Sequence, residues 1–112
     1  MIVDAGRIAM ANYLKDTFVN ARVGMGGNST SPASTNLDVR MANSLPVVSS
    51  SISNSNVVDF RFTVSNIVGY TIREIGIFNA DFSIMLTRLN FEGIGPFASG
   101  EEVDFYVTVE VE

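Results

Sequence analysis

Apolar residues recur along this chain with two periods, one near three and a half at the start and one close to two afterwards. Over about residues 4–18, Ile8, Ala11, Leu14 and Phe18 follow at spacings of three, three and four, which sets them on one face of a helix. Arg7, Asn12, Lys15 and Asp16 take the wet side; Asp4 is placed to cap the N-terminus, and Gly6 weakens the first turn. From Asn20 the period is two: Ala21, Val23 and Met25 alternate with Arg22, Gly24 and Gly26, as in a short half-buried strand.

Residues 26–36 are punctuation, rich in Gly, Ser, Thr, Asn and Pro, and predict a loop. Leu37, Val39 and Met41 then alternate with Asp38 and Arg40, a pattern that fits either a strand or a short helical turn. Ser49–Asn56 is polar at seven of eight positions and predicts a loop, a hairpin connection or an edge. Val58, Phe60, Phe62 and Val64 alternate with Asp59, Arg61, Thr63 and Ser65, which gives one core face and one face carrying Asp59 beside Arg61. Tyr70–Phe78 is apolar on both faces through Ile75, Ile77 and Phe78, as a central strand requires. Ile84–Phe91 answers it across the turn Asn79-Ala80-Asp81. After a loop at Gly93–Gly100, Val103, Phe105, Val107, Val109 and Val111 alternate with Asp104, Tyr106, Thr108 and Glu110. Short strands, Gly and Ser punctuation and one opening helix predict an all-β fold: an antiparallel β-sandwich with one N-terminal helix packed against it, strands running from about residue 20 to 112.

The length of 112 residues suits one domain spanning 1–112, and 46% hydrophobic residues with 17% charged ones lie far from the composition of disordered chains. Seven Lys and Arg against twelve Asp and Glu give a net charge of −5. Five of those acids (Glu101, Glu102, Asp104, Glu110 and Glu112) fall in residues 101–112 with no base, so the rest of the chain balances. No cluster of Lys and Arg exists to hold phosphates, so nucleic acid is not an expected partner. There is neither a basic and apolar leader nor a run of about eighteen apolar residues; a soluble protein is expected, with no membrane partner.

Candidate chemistry is sparse. With no Cys and no His, disulfides, thiolate or imidazole zinc sites and His-dependent triads are excluded. Gly24-Met25-Gly26-Gly27 follows a strand, but no Lys comes after it as a phosphate-cradling loop demands. Asn28-Ser29-Thr30 matches the glycosylation triplet, and without a secretory signal it reads as polar loop. Asn79 and Asp81 lack the ligand alternation of a calcium loop and read as turn formers. Glu74 stands in the middle of an apolar strand; with no second carboxylate at a telling spacing, it reads as bonded to a neighbouring loop or subunit, and Arg73 points to the opposite face. No cofactor is expected, and the chain is read as non-enzymatic.

The order of parts carries a resemblance. The opening Ile2-Val3-Asp4-Ala5-Gly6-Arg7-Ile8-Ala9-Met10-Ala11-Asn12, the strand ending Val23-Gly24-Met25-Gly26, the Ser/Pro loop and Leu37–Arg40 come first. They are followed by Ile72–Asp81, Leu86-Thr87-Arg88 and a closing strand after Ser99-Gly100-Glu101. Together these resemble, over nearly the whole chain, the phage tail-collar fibre type of domain. Phe82 departs from that pattern, where such hairpins usually carry Gly, and the turn reads Asn79-Ala80 instead of Asp-Ala.

The resemblance implies a small β-sandwich that serves as an attachment module in a bacteriophage tail, located in the virion, often in a symmetric oligomer, with no catalytic residues to carry over. Ending at Glu112, the chain is expected to be an adaptor of collar, neck, fibre or baseplate rather than a long fibre. Expected partners are copies of itself, as a trimer or ring, and other virion proteins. A capsid decoration protein and a carbohydrate-binding module, using Tyr13, Tyr70 or Tyr106, are the alternatives. Met25, Ile94 and Phe97, apolar in loop-like segments, and the acids Glu110 and Glu112 are the candidate interface residues. Edge-strand addition through Ser49–Asn56 or the acidic C-terminal strand is the expected docking mode.

Overall fold

The structure, a computed structural model, describes residues 1–27, 34, 36–41 and 46–112. The triplet Asn28-Ser29-Thr30 and most of the loop around it lie outside the described residues. Helix α1 (Asp4–Thr17) precedes six strands, β1 (Asn20–Gly24), β2 (Ser49–Ser53), β3 (Val57–Val64), β4 (Ile72–Phe78), β5 (Met85–Ile94) and β6 (Val103–Glu110). They form two antiparallel three-stranded sheets, ordered β1-β4-β5 and β2-β3-β6, so the fold is an antiparallel β-sandwich with one N-terminal helix.

The period-two pattern sets which residues of the second sheet face inward, and the pairing follows it. Val58, Phe60, Phe62 and Val64 face Val109, Val107, Phe105 and Val103, while Val57, Asp59, Arg61 and Thr63 face Glu110, Thr108, Tyr106 and Asp104. A slip of one residue would turn every one of those apolar side chains outward. The inner set joins Ala21, Val23, Ile72, Ile75 and Ile77 of the first sheet in one core cluster. Full burial of a side chain such as Phe60 contributes about 1.5–3 kcal/mol. Phe62 stacks on its cross-strand partner Phe105 at 5.4 Å, and Phe91 of β5, tilted against Phe105 at 6.0 Å, links the two sheets at their β5 and β6 flank.

The helix departs from expectation at its start. Val3 occupies the cap position without a side-chain cap bond, and Asp4 lies one residue inside, where its carboxylate pairs with Arg7 at 2.9 Å. Ala11 is buried, with Phe18 just beyond the helix, but Ile8 is 40% exposed. The reason is reach. The helix packs over β2 and β3, where the Ser50 hydroxyl donates to the Lys15 carbonyl at 3.1 Å. Its first turns instead border an open hollow of about 460 Å³ shared with the Asn54–Asn56 turn.

Residues 37–41 are extended, neither a helical turn nor a full strand. Met25 N–H donates to the Val39 carbonyl and Met41 N–H to the Val23 carbonyl, both at 2.8 Å, so the segment runs antiparallel along the free edge of β1. Ser49–Asn56 is an edge strand followed by a turn. β5 runs on to Ile94, past the predicted end at Phe91, and takes Gly93 out of the expected loop.

In the β4–β5 turn, Asn79 Oδ1 accepts the Ile84 N–H at 2.9 Å, and Asp81 accepts both the hydroxyl and the N–H of Ser83, at 2.7 and 3.2 Å. Those bonds, the Ser83 hydroxyl first, hold the Asp81 carboxyl below the usual carboxylate range. Phe82 has φ of 60°, the left-handed region that favours glycine. Its ring lies 5.7 Å from Phe78, with the Arg22 guanidinium 4.3 Å above it. Phe82→Ala keeps the strained backbone and loses these contacts, so it should destabilise in urea denaturation. Phe82→Gly should be about 1 kcal/mol more stable than the Ala variant. An Ala variant equal to or above Gly would contradict this account.

Candidate functional site

A carboxylate inside an apolar strand must find donors or be expelled. Glu74 is fully buried in the central strand β4. Its Oε2 accepts the N–H of Gly26 at 2.7 Å and of Val39 at 2.8 Å, and its Oε1 accepts the N–H of Asp38 at 2.7 Å. Arg88, from β5, reaches the same Oε1 through Nη2 at 3.3 Å and holds Asp38 Oδ2 at 2.7 Å. The Arg88 side chain is nearly buried and also donates to Ser34 Oγ at 3.2 Å and Asn90 Oδ1 at 3.3 Å.

This knot explains the glycines. A Cβ at position 24 would lie 2.5 Å from the Val39 carbonyl oxygen and 2.7 Å from Glu74 Oε2. At position 26 it would lie 2.5 Å from the Asp38 Cβ and 2.6 Å from Glu74 Oε2. Gly24-Met25-Gly26-Gly27 thus does present an N–H to an anion, but the anion is the protein's own carboxylate. Oxygens closed in by backbone donors and a guanidinium bind loops together; they offer a substrate no approach. Glu74 is bonded to neighbouring loops, as the sequence suggests, through partners that the sequence reading left unnamed.

A signal for one partner existed. Glu74 and Arg88 lie seven residues on either side of Asp81, so any hairpin turning there brings them near each other. The register shift at Ile77/Phe78 places Arg88 opposite Gly76 and diagonal to Glu74. On the same outer face of the sheet, Arg22 stacks on Phe78 and Phe82 and donates to Asn36 Oδ1 at 3.2 Å. Burial first, and Arg40 second, lower its pKa.

The candidate interface residues separate into two places. Met25 follows β1, Ile94 ends β5 and Phe97 lies three residues beyond, so the antiparallel order gathers them at one end of the β1-β4-β5 sheet. Of these, Ile94 is 41% exposed, whereas Met25 and Phe97 are partly buried against the core, with the Phe97 carbonyl accepting Gly69 N–H at 2.8 Å. Glu110 and Glu112 are exposed on the other sheet, at the C-terminal end of β6. The tyrosines do not share a face. Tyr70 packs against the core, Tyr13 stands on the helix over the inner side of β2-β3-β6, and Tyr106 stands on that sheet's outer side.

The largest apolar exposure missed by sequence reasoning is the N-terminal segment: Ile2, Val3, Ile8, Met10 and Tyr13 are each 40–61% exposed. Among the described residues no group of three or more acids is placed to hold a metal ion, and no helix is long and apolar enough to cross a membrane. No family model matches the chain, and neither a curated protein nor a solved structure matches it.

Glu74→Gln would turn an amide NH2 toward backbone N–H donors and remove the charge facing Arg88. Chemical denaturation should show a loss of about 3–5 kcal/mol, the usual cost of breaking a buried pair. A loss below about 1 kcal/mol, the worth of one ordinary hydrogen bond, would show that the knot does not hold the loops.

Proposed function

We propose that this chain is a non-enzymatic structural protein of a bacteriophage virion. In this reading it is an adaptor or attachment module of the tail, at collar, neck, fibre or baseplate, working by self-assembly and by docking to other virion proteins. The order of sequence elements that resembles tail-collar fibre domains supports the virion setting. The observation that carries the assembly part is the N-terminal helix. Ile8 and Met10 lie about 200° apart around its axis, and both are exposed, together with Tyr13. A helix with apolar side chains on several sides is one that another surface covers.

The proposal also fits what the chain does with its polar chemistry. Its buried ionic groups, Glu74 and Arg88, are spent on joining loops. Tyr13 and Tyr106 stand on different faces, which gives a saccharide no common aromatic platform and supports the protein-docking reading over the carbohydrate-binding one.

Sedimentation velocity at micromolar concentration should show an oligomer, and the double variant Ile8→Glu, Met10→Glu should shift it to monomer with an unchanged far-UV circular dichroism spectrum. A monomeric parent chain would remove the self-assembly part. Immunogold labelling of intact particles should place the chain on the tail, neck or baseplate. Label over the head would replace this reading with capsid decoration, and absence from particles would overturn the virion setting altogether.

A further inference from the structure

We infer that the open edge of β6 is a docking edge for an extended, basic segment of a different protein, which adds to the β2-β3-β6 sheet as a fourth strand. This deepens the docking half of the proposed function and rests on it. The direction of the backbone groups comes first. Val111 N–H donates to the Asn56 carbonyl at 2.9 Å and continues the register in which Val57 faces Glu110. Hydrogen-bonded and non-bonded pairs alternate along an antiparallel ladder. Val103, Phe105, Val107 and Val109 therefore bond to β3, and Asp104, Tyr106, Thr108 and Glu110 aim their N–H and C=O groups away from it. β6 is the last strand of its sheet, and among the described residues no strand pairs with that edge.

Sheet edges are ordinarily protected by charged side chains, above all Lys, or by Pro, bulges or shortness. β6, Val-Asp-Phe-Tyr-Val-Thr-Val-Glu, has no Lys, Pro or bulge and is regularly paired with β3; its edge charges are the acids Asp104 and Glu110, which guard it against a like-charged strand and leave it open to a basic one. Phe105, Val103 and Val109 are only partly buried along this flank, and Phe91 of the opposite sheet lies 6.0 Å from Phe105. An incoming strand would set alternate apolar side chains against those rings and its other side chains beside Asp104, Tyr106, Thr108 and Glu110.

Charge decides the occupant. The stretch 101–112 holds five acids and no base. A second copy's β6, paired about a twofold axis, puts Asp104 opposite Glu110 if centred on Val107, Glu102 opposite Glu110 if centred on Tyr106, and Asp104 opposite Glu112 if centred on Thr108; centres at Phe105 or Val109 avoid this but overlap β6 with itself only over residues 103–107 or 108–110. Like charges directly opposite are destabilising. A strand alternating Lys or Arg with Val, Ile or Phe satisfies both faces and supplies the charge complementarity that the edge lacks in itself.

Amide hydrogen exchange on the full chain, followed by NMR, tests this. In the free protein the amides of Tyr106, Thr108 and Glu110 should exchange quickly and those of Phe105, Val107 and Val109 slowly. A synthetic peptide Lys-Val-Arg-Val-Lys-Ile-Lys should protect Tyr106 and Thr108, and its counterpart with Glu at every basic position should bind at least tenfold more weakly. Thr108→Pro removes an outward donor without breaking the β3 ladder, so it should abolish binding with the fold retained. The double variant Asp104→Lys, Glu110→Lys should reverse the preference between the two peptides. Slow exchange at Tyr106 and Thr108 in the free oligomer would mean that another copy already covers the edge, which overturns this inference and leaves self-assembly standing. Equal binding of both peptides, or protection centred elsewhere, would also overturn it.

Discussion

The structure depends on how one buried carboxylate is satisfied. Glu74 sits fully buried in the central strand of its sheet, and its donors come from stretches of chain far apart in sequence, Gly26 on one side and Asp38 and Val39 on the other. An unpaired charge at that depth would cost several kcal/mol, a large part of the 5–15 kcal/mol that separates folded from unfolded domains. Satisfying it draws the irregular 37–41 segment along β1, closes Leu37 over Gly76, and leaves no room for a Cβ at Gly24 or Gly26. The outer face of β4, which an ordinary sandwich would leave to solvent, becomes a second buried layer held by a polar knot.

The Glu74–Arg88 ion pair is thus turned inward, while apolar helix side chains and, among the described residues, one row of β6 backbone groups are turned outward. The N-terminal helix exposes Ile8, Met10 and Tyr13; the β6 edge carries an acidic face and an open ladder. These surfaces differ in kind. Apolar side chains on several sides of a short helix suit contact between copies, where burial supplies the driving force. An acidic edge disfavours its own image and selects a partner of opposite charge. An adaptor, as proposed here, needs both properties.

The hairpin turn shows how a local rule can be broken at a tolerable cost. Phe82 occupies a backbone conformation that favours glycine, and the ring answers the strain by packing on Phe78 and beneath Arg22.

What the sequence by itself determined is everything governed by a short period. The alternation in Val58–Val64 and Val103–Val109 set two strands and their inner faces, because a period of two leaves only one face on which to bury those side chains; a slip of two residues keeps that face, so the register itself came from the tertiary structure. The spacing of Ala11, Leu14 and Phe18 set the helix, and the both-sided apolar run around Ile75 and Ile77 set the central strand. Glu74 was legible as a charge needing a neighbour, but Asp38, Val39 and Gly26 were not its evident partners, since backbone N–H groups are alike in every residue and carry no mark in the sequence. Ile8 was assigned inward on a helical face whose outer turns extend beyond the sheet, a matter of where a helix stops finding support. Only the tertiary structure decided which loop covers β4 and which strand is left at an open edge, because those depend on contacts between segments tens of residues apart that no local pattern encodes.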